Sequence, residues 1–376
     1  MANIIDYVER RGDKPLSRAP LNEVDALVLC ALSYMPMDTI VGGDFGAGQP
    51  LGEVAGALLD CGACDTKLGI DGSNGRRLLE AIKGSARFGA MRATAFVNLH
   101  DERTQEQFSA VTILCGGEAF LAFRGTDGTI VGWKEDFNMS FEREVPAQRS
   151  AVRYADEARR ALGLPMTLGG HSKGGNLAAY ALLFADDETS RHTRLAYNFD
   201  GPGFHDGEAI RRAQAQRARV YTFVPQDALV GMLLWHSEPF MVVRSDGKGL
   251  FEHDPFTWQV MGGRFVPAKG LTLKSRYADQ TIREWLLSLP TVVRRRAIDG
   301  MYEVLAASGD ERLSQLRDAS SLLAMLRKAR SLDAKTREAI EEMLLLLGKA
   351  AVEAIPRTLH EAAEAREERE RGRIAP

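Results

Sequence analysis

The chain has 376 residues, 45% hydrophobic and 26% charged, with a net charge of −3 and a pI near 6.2. That length suits one large α/β domain with an added module, and the composition is ordinary for a soluble globular protein. The slight acidity argues against a nucleic-acid partner, which a basic domain would mark, and no apolar run approaches the roughly 20 residues that span a bilayer.

The N-terminus carries Asp6, Glu9, Arg10, Arg11 and Asp13 with no apolar core stretch, so it does not read as a secretory signal and a cytoplasmic location is expected. Residues 1–35 read as helix, with Val24, Leu27, Val28, Ala31 and Leu32 on one face. Residues 40–56 are glycine-rich, but Gly46-x-Gly48 does not complete a dinucleotide fingerprint and no strand precedes it. Cys30 and Cys115 sit in apolar runs and read as buried thiols. Cys61-x-x-Cys64 has no second Cys/His pair nearby, so no metal and no cofactor is expected. Residues 78–83 look helical, and 94–98 and 108–115 look like strands joined by a polar turn, with 119–123 pairing next to them. A helix over 148–162, a strand over 165–168, helices over 176–185 and 206–218, a strand in the segment 220–227 that ends in Asp227, and a strand at 240–244 follow. The strand–helix rhythm from 119 to 227 implies a parallel sheet.

From about Ser275 the pattern changes. Ile282, Trp285 and Leu286, and later Ile340, Met343, Leu344 and Leu347, recur at helical spacing. Pro290 starts one helix and Pro356 interrupts another, and the mixed charges of 361–373 read as a solvated helix. The expected organisation is an α/β domain over 1–274 and a helical module over 275–376. The module's apolar stripes read as core, with a cap or peripheral membrane contact as the alternative.

Chemistry concentrates at Gly170-His171-Ser172-Lys173-Gly174, a Gly-x-Ser-x-Gly pattern between a strand-like run and a helix-forming run. A serine on such a tight turn has strained backbone geometry and an exposed hydroxyl, and small flanking residues keep the turn uncrowded. The following helix turns its free N–H groups and positive dipole end toward the site, which favours a developing oxyanion. Two other apolar strands end in polar loops: Phe123-Arg124-Gly125-Thr126-Asp127, with Trp133 and Asp136 beyond, and Val224-Pro225-Gln226-Asp227. In an open α/β sheet, function gathers beyond the carboxyl ends of the strands.

With these segments the chain resembles the α/β-hydrolase superfamily, within it the fungal-type (class-three) lipases, and most of all a bacterial lipase-like branch. The resemblance spans roughly the first 270 residues. It is carried by Asn3-Ile4-Ile5-Asp6-Tyr7, the run from Asn22 to Leu27, the elbow through Ala178, Asp200-Gly201-Pro202-Gly203-Phe204 and the run from His253 to Trp258. It implies an oxyanion-hole group at Thr126. The second donor would be the backbone N–H of Lys173, whose side chain reads as solvated on the first helical turn. The superfamily order is nucleophile, acid, histidine. Asp227, after the nucleophile at a strand end, matches the acid. Asp200 also closes a strand and competes, with a turn role at Gly201-Pro202-Gly203 as its alternative. Of seven histidines, His253 fits the base best, on a loop after the 240–244 strand, and His236 is second, after a lid-like run over 228–235. His171, inside the elbow, points the wrong way.

The sequence therefore reads as a serine hydrolase acting on an acyl ester or lipid through an acyl-enzyme, with Ser172, Asp227 and His253 catalytic and Thr126 and Lys173 in the oxyanion hole. The alternatives are a catalytically silent scaffold used for binding, or an acyltransferase or thioesterase on the same triad. The oligomeric state is left open.

Overall fold

A computed structural model describes residues 1–62, 72–311 and 319–346. Cys64, Leu347, Pro356 and residues 361–373 lie outside that range. The chain divides into two compact units, Met1–Lys269 with Glu311–Gln315, and Gly270–Asp310 with Leu316–Pro376.

The first unit opens with two helices rather than one, α1 (Ile4–Arg11) and α2 (Glu23–Leu32). Each starts at a reciprocal cap, Asn3 with Asp6 and Asn22 with Asp25, and Pro15 and Pro20 between them cannot continue a helical ladder. Then come β1 (Gln49–Pro50), α3 (Leu51–Asp60), α4 (Gly72–Lys83), β2 (Arg92–Asp101), β3 (Glu106–Cys115) and β4 (Glu118–Phe123). After these follow α5 (Ile130–Asn138), α6 (Pro146–Leu162), β5 (Met166–His171), α7 (Lys173–Phe184), α8 (Asp187–His192), β6 (Thr193–Phe199), α9 (Gly207–Ala215), β7 (Val220–Pro225) and β8 (Phe240–Val243). A small hairpin, β9 (Val260–Met261) with β10 (Arg264–Phe265), closes the unit.

The eight strands β1 to β8 lie side by side in sequence order, antiparallel through β4 and parallel from β4 to β8. The central strands alternate between two apolar cores, as the two-residue period of a strand requires. Val111, Ile113, Phe120, Ala122, Tyr197 and Phe199 join the core built with α1 to α4. Phe108, Ala110, Leu121, Phe123, Leu168 and Ala196 join the one built with α6, α7 and α9. With both faces covered, β4 and β5 read as near-continuous apolar or small-residue runs. Under the first helices a buried ion pair, Arg87 with Asp25 at 2.5 Å, is completed by the Tyr7 hydroxyl donating to Asp25.

The second unit contains α10 (Leu273–Ser288), α11 (Thr291–Ala306) and α12 (Ala319–Ser331), plus a helix over 334–346. Pro290 sits at the N-cap of α11, and the Trp285 indole N–H donates to the Met343 carbonyl at 2.9 Å. Among the described residues no helix is long and apolar enough to cross a membrane.

Candidate active site

Parallel order from β4 to β8 brings the loops after β4, β5, β6 and β7 to one edge of the sheet. Ser172, between β5 and α7, has φ 58° and ψ −135°, a left-handed conformation that strains a non-glycine residue. Its backbone N–H donates to the Phe199 carbonyl at 2.9 Å, which ties the turn to the end of β6. Gly170 is required because a Cβ there would collide with the Gly174 carbonyl. Gly125 is required because a Cβ there would lie 2.7 Å from the His171 carbonyl oxygen and 2.9 Å from Ser172 Cβ. The loop carrying Thr126 therefore runs directly against the serine.

That loop is held from several sides. Buried Arg124 reaches Asn98 at 3.1 Å and Asp127 at 3.3 Å, and Asp127 accepts the Thr129 N–H. The Thr126 hydroxyl donates to Asp136 Oδ2 on α5 at 2.6 Å. Burial pushes the Asp136 carboxyl up to about 6, against the opposing charge of Lys173 and the hydrogen bond from Thr126. Its other oxygen, Oδ1, is buried with no hydrogen-bond partner among the described residues.

His253 ends a short 3₁₀ turn (Gly249–His253) after β8. Its Nδ1 lies 2.6 Å from Oδ2 of Asp200, the residue that follows β6. With Asp200 ionised, Nδ1–H donates and the Nε2 lone pair is left available. Asp200 is fully buried, has φ 49°, and accepts the Gly231 N–H at its other oxygen. Desolvation raises its pKa, opposed by the hydrogen bond and charge of His253. The His253 side chain keeps 27% of its surface exposed, so a small molecule can reach the ring. It lies beside the elbow: the His171 and His253 ring centroids are 4.6 Å apart, and His171 Nε2 donates to the His253 carbonyl at 2.7 Å. That bond fixes the His171 tautomer, so its Nδ1 accepts from the Tyr34 hydroxyl at 3.0 Å. Burial holds His171 well below the ordinary histidine range.

The aspartate bonded to His253 differs from the one expected. The carboxylate on His253 is Asp200, not Asp227. The Asp227 backbone N–H donates to Glu252 at 2.8 Å. Glu252 is the neighbour of His253, and its carbonyl accepts the N–H of the fully buried Trp258 indole at 2.8 Å. The competing histidine, His236, is bonded through Nδ1 to Glu238 at 2.9 Å, and Glu238 also accepts from Thr222. The lid-like run over 228–235 is docked: Met232 and Leu234 are buried, and Trp235 bridges Phe204.

The Lys173 side chain is a second difference from expectation. It is 1% exposed, and its ammonium donates to Glu135 Oε2 at 2.8 Å and to the carbonyl and side-chain oxygens of Gln107 at 2.8 and 2.9 Å. No sequence signal pointed to Glu135 or Gln107. Tyr34 and Glu252 were equally unmarked, because each acts across a long stretch of chain.

Among the described residues no group of three or more His, Cys, Asp or Glu side chains could hold a metal ion. The model of the Mbeg1-like family, a lipase-like family related to the class-three lipases, matches residues 82–303, and the chain belongs to that family. No curated protein matches it.

Proposed function

We propose that this member of the Mbeg1-like family is a serine hydrolase that cleaves carboxylic esters through an acyl-enzyme. Ser172 Oγ attacks the acyl carbon and passes its proton to His253 Nε2, which returns it to the leaving alkoxide. Asp200 holds the His253 tautomer and stabilises the imidazolium that forms. The backbone N–H groups of Thr126 and Lys173 receive the oxyanion, and α7 directs its N-terminal dipole at the same point. Water activated by the same histidine then releases the acid.

The observation that carries this reading is the 2.6 Å contact between His253 and buried Asp200, made by a ring that packs on His171, the residue before a strained serine. An acyl ester or lipid is favoured over a peptide. The family is lipase-like, and Trp133, Phe137, Leu250 and Phe251 are exposed close in sequence to Asp136 or His253. A cytoplasmic small-molecule substrate, without cofactor or nucleic acid, completes the proposal. Fluorophosphonate labelling, followed by a panel of p-nitrophenyl esters of rising chain length, tests it. A protein that takes no label and turns over no ester would be a silent scaffold, and acyl transfer to an added alcohol or thiol would indicate a transferase.

A further inference from the structure

A buried ammonium next to a nucleophile is an expensive way to fill space. Removing two charges from water costs several kcal/mol per ion, so an apolar side chain of similar volume at Lys173 would serve packing as well or better. Lys173 and Glu135 are nevertheless 1% and 0% exposed, and the ammonium and both carboxylate oxygens are hydrogen-bonded. The ammonium makes three contacts, so no lone pair remains for base chemistry. Glu135 accepts the Gln107 backbone N–H at Oε2 and the Ala147 N–H at Oε1.

These bonds link two parts of the chain that are not otherwise continuous. Lys173 is the first residue of α7 and carries one candidate oxyanion donor on its own backbone. Its ammonium grips Glu135 on α5, and the next residue of that helix, Asp136, holds the Thr126 hydroxyl at 2.6 Å. Thr126 carries the other candidate donor. Gln107 at the start of β3 is the fixed third point.

We infer that Lys173 is a positioning residue: through Glu135 and Gln107 its ammonium sets the register of the Thr126 loop against the nucleophile elbow, and so the spacing of the two oxyanion donors. The inference rests on the hydrolase reading above. It differs from a purely structural role because the lost quantity is donor placement, which is felt in the transition state and not in ground-state binding.

The test uses the full chain and fluorophosphonate labelling of Ser172, with maximal labelling rate and half-saturating probe concentration measured separately. In Lys173→Met/Glu135→Met both charges leave together, so no uncompensated ion is buried; the Gln107 and Ala147 N–H groups lose their acceptor and the melting temperature falls, so rates are compared below the unfolding transition of each variant. The expected result is a maximal rate about 10- to 100-fold lower with half-saturation changed less than about 3-fold. Glu135→Gln, nearly isosteric, keeps the lysine's bonds to Gln107 and should lose about 10-fold in the same parameter. A parental maximal rate in either folded variant overturns the inference, as does a loss confined to half-saturation. Ser172→Ala separates the two levels: label persisting there refutes the hydrolase reading itself, whereas label lost there with a parental rate in the charge variants refutes only the role of Lys173.

Discussion

Asp200→Asn is the sharpest single perturbation of the proposed chemistry. The native carboxylate accepts two N–H donors, from Gly231 at Oδ1 and His253 Nδ1 at Oδ2. An asparagine has one acceptor and one donor end. If its oxygen faced His253, its NH₂ would meet the Gly231 N–H donor to donor inside a buried site. That clash costs on the order of 1–3 kcal/mol as an unsatisfied polar group. The opposite placement satisfies Gly231 and presents NH₂ to Nδ1, which must then become the acceptor. The proton moves to Nε2, the atom needed as base. The expected fall in labelling rate and ester turnover is about 10⁴-fold. Folding stability should change little, because the substitution is isosteric and removes a carboxylate that burial already disfavours. Asp227→Asn leaves the backbone N–H that bonds Glu252 and should cost less than about 10-fold. Stopped-flow acylation with an activated ester, alongside thermal melts of both variants, measures each arm. If Asp227→Asn gives the 10⁴-fold loss and Asp200→Asn does not, the assignment of the acid is refuted.

Ser172→Ala should abolish fluorophosphonate labelling without loss of fold, and a label found on any other residue in that variant argues against the nucleophile. His253→Ala should slow acylation by several orders of magnitude, whereas His236→Ala should leave it within about 10-fold while lowering stability through the hydrogen bond lost at buried Glu238, and reversed outcomes would move the base. Asp136 supplies a pH test. Its folded value of about 6 lies above the ordinary 3.8, so its contribution to stability is fully present below about 3.8 and is lost as pH rises through about 6. Asp136→Asn should therefore gain stability relative to the parent between pH 4 and 7, by on the order of 3 kcal/mol, and parallel melting curves across that window would contradict the raised value.

The elements legible in the sequence are those fixed by local pattern. The strand–helix rhythm from 119 to 227 gives the parallel half of the sheet because short apolar runs alternating with segments of helical period need no distant information. The left-handed turn at Ser172 is legible for the same reason, since small residues flank it and a helix follows at once. The break between α1 and α2 was also present locally, in Pro15, Pro20 and the Asn22–Asp25 cap, but the apolar face of the second helix outweighed it. What could not be read depends on contacts far apart in the chain. Lys173 meets Glu135 across 38 residues and Gln107 across 66, and a lysine on a first helical turn gives no local sign of being buried.

The choice of Asp200 over Asp227 in the proposed triad belongs to that second class, and the argument for it lies in the residue before His253. Both aspartates follow apolar strands in the same parallel sheet, so strand-end logic gives them equal standing. The loop after β8 decides between them. Trp258, wholly buried against Phe199 and Phe265, holds the Glu252 carbonyl, and Glu252 turns its carboxylate onto the Asp227 backbone N–H and the Gln226 side chain. The space beyond β7 is thereby taken by an acidic side chain. Burial and the neighbouring charge of Asp227 raise the Glu252 pKa, a sign that carboxylates crowd there. A histidine anchored beside such a pair would gain its proton from the field of two acids and lose its neutrality as a base. One residue further along, His253 instead meets a single carboxylate that is fully desolvated, fixed by Gly231 and held at a left-handed backbone position. The proposed acid thus follows β6 and not β7 because the loop bearing the histidine is pinned from the other side, by Glu252 and Trp258.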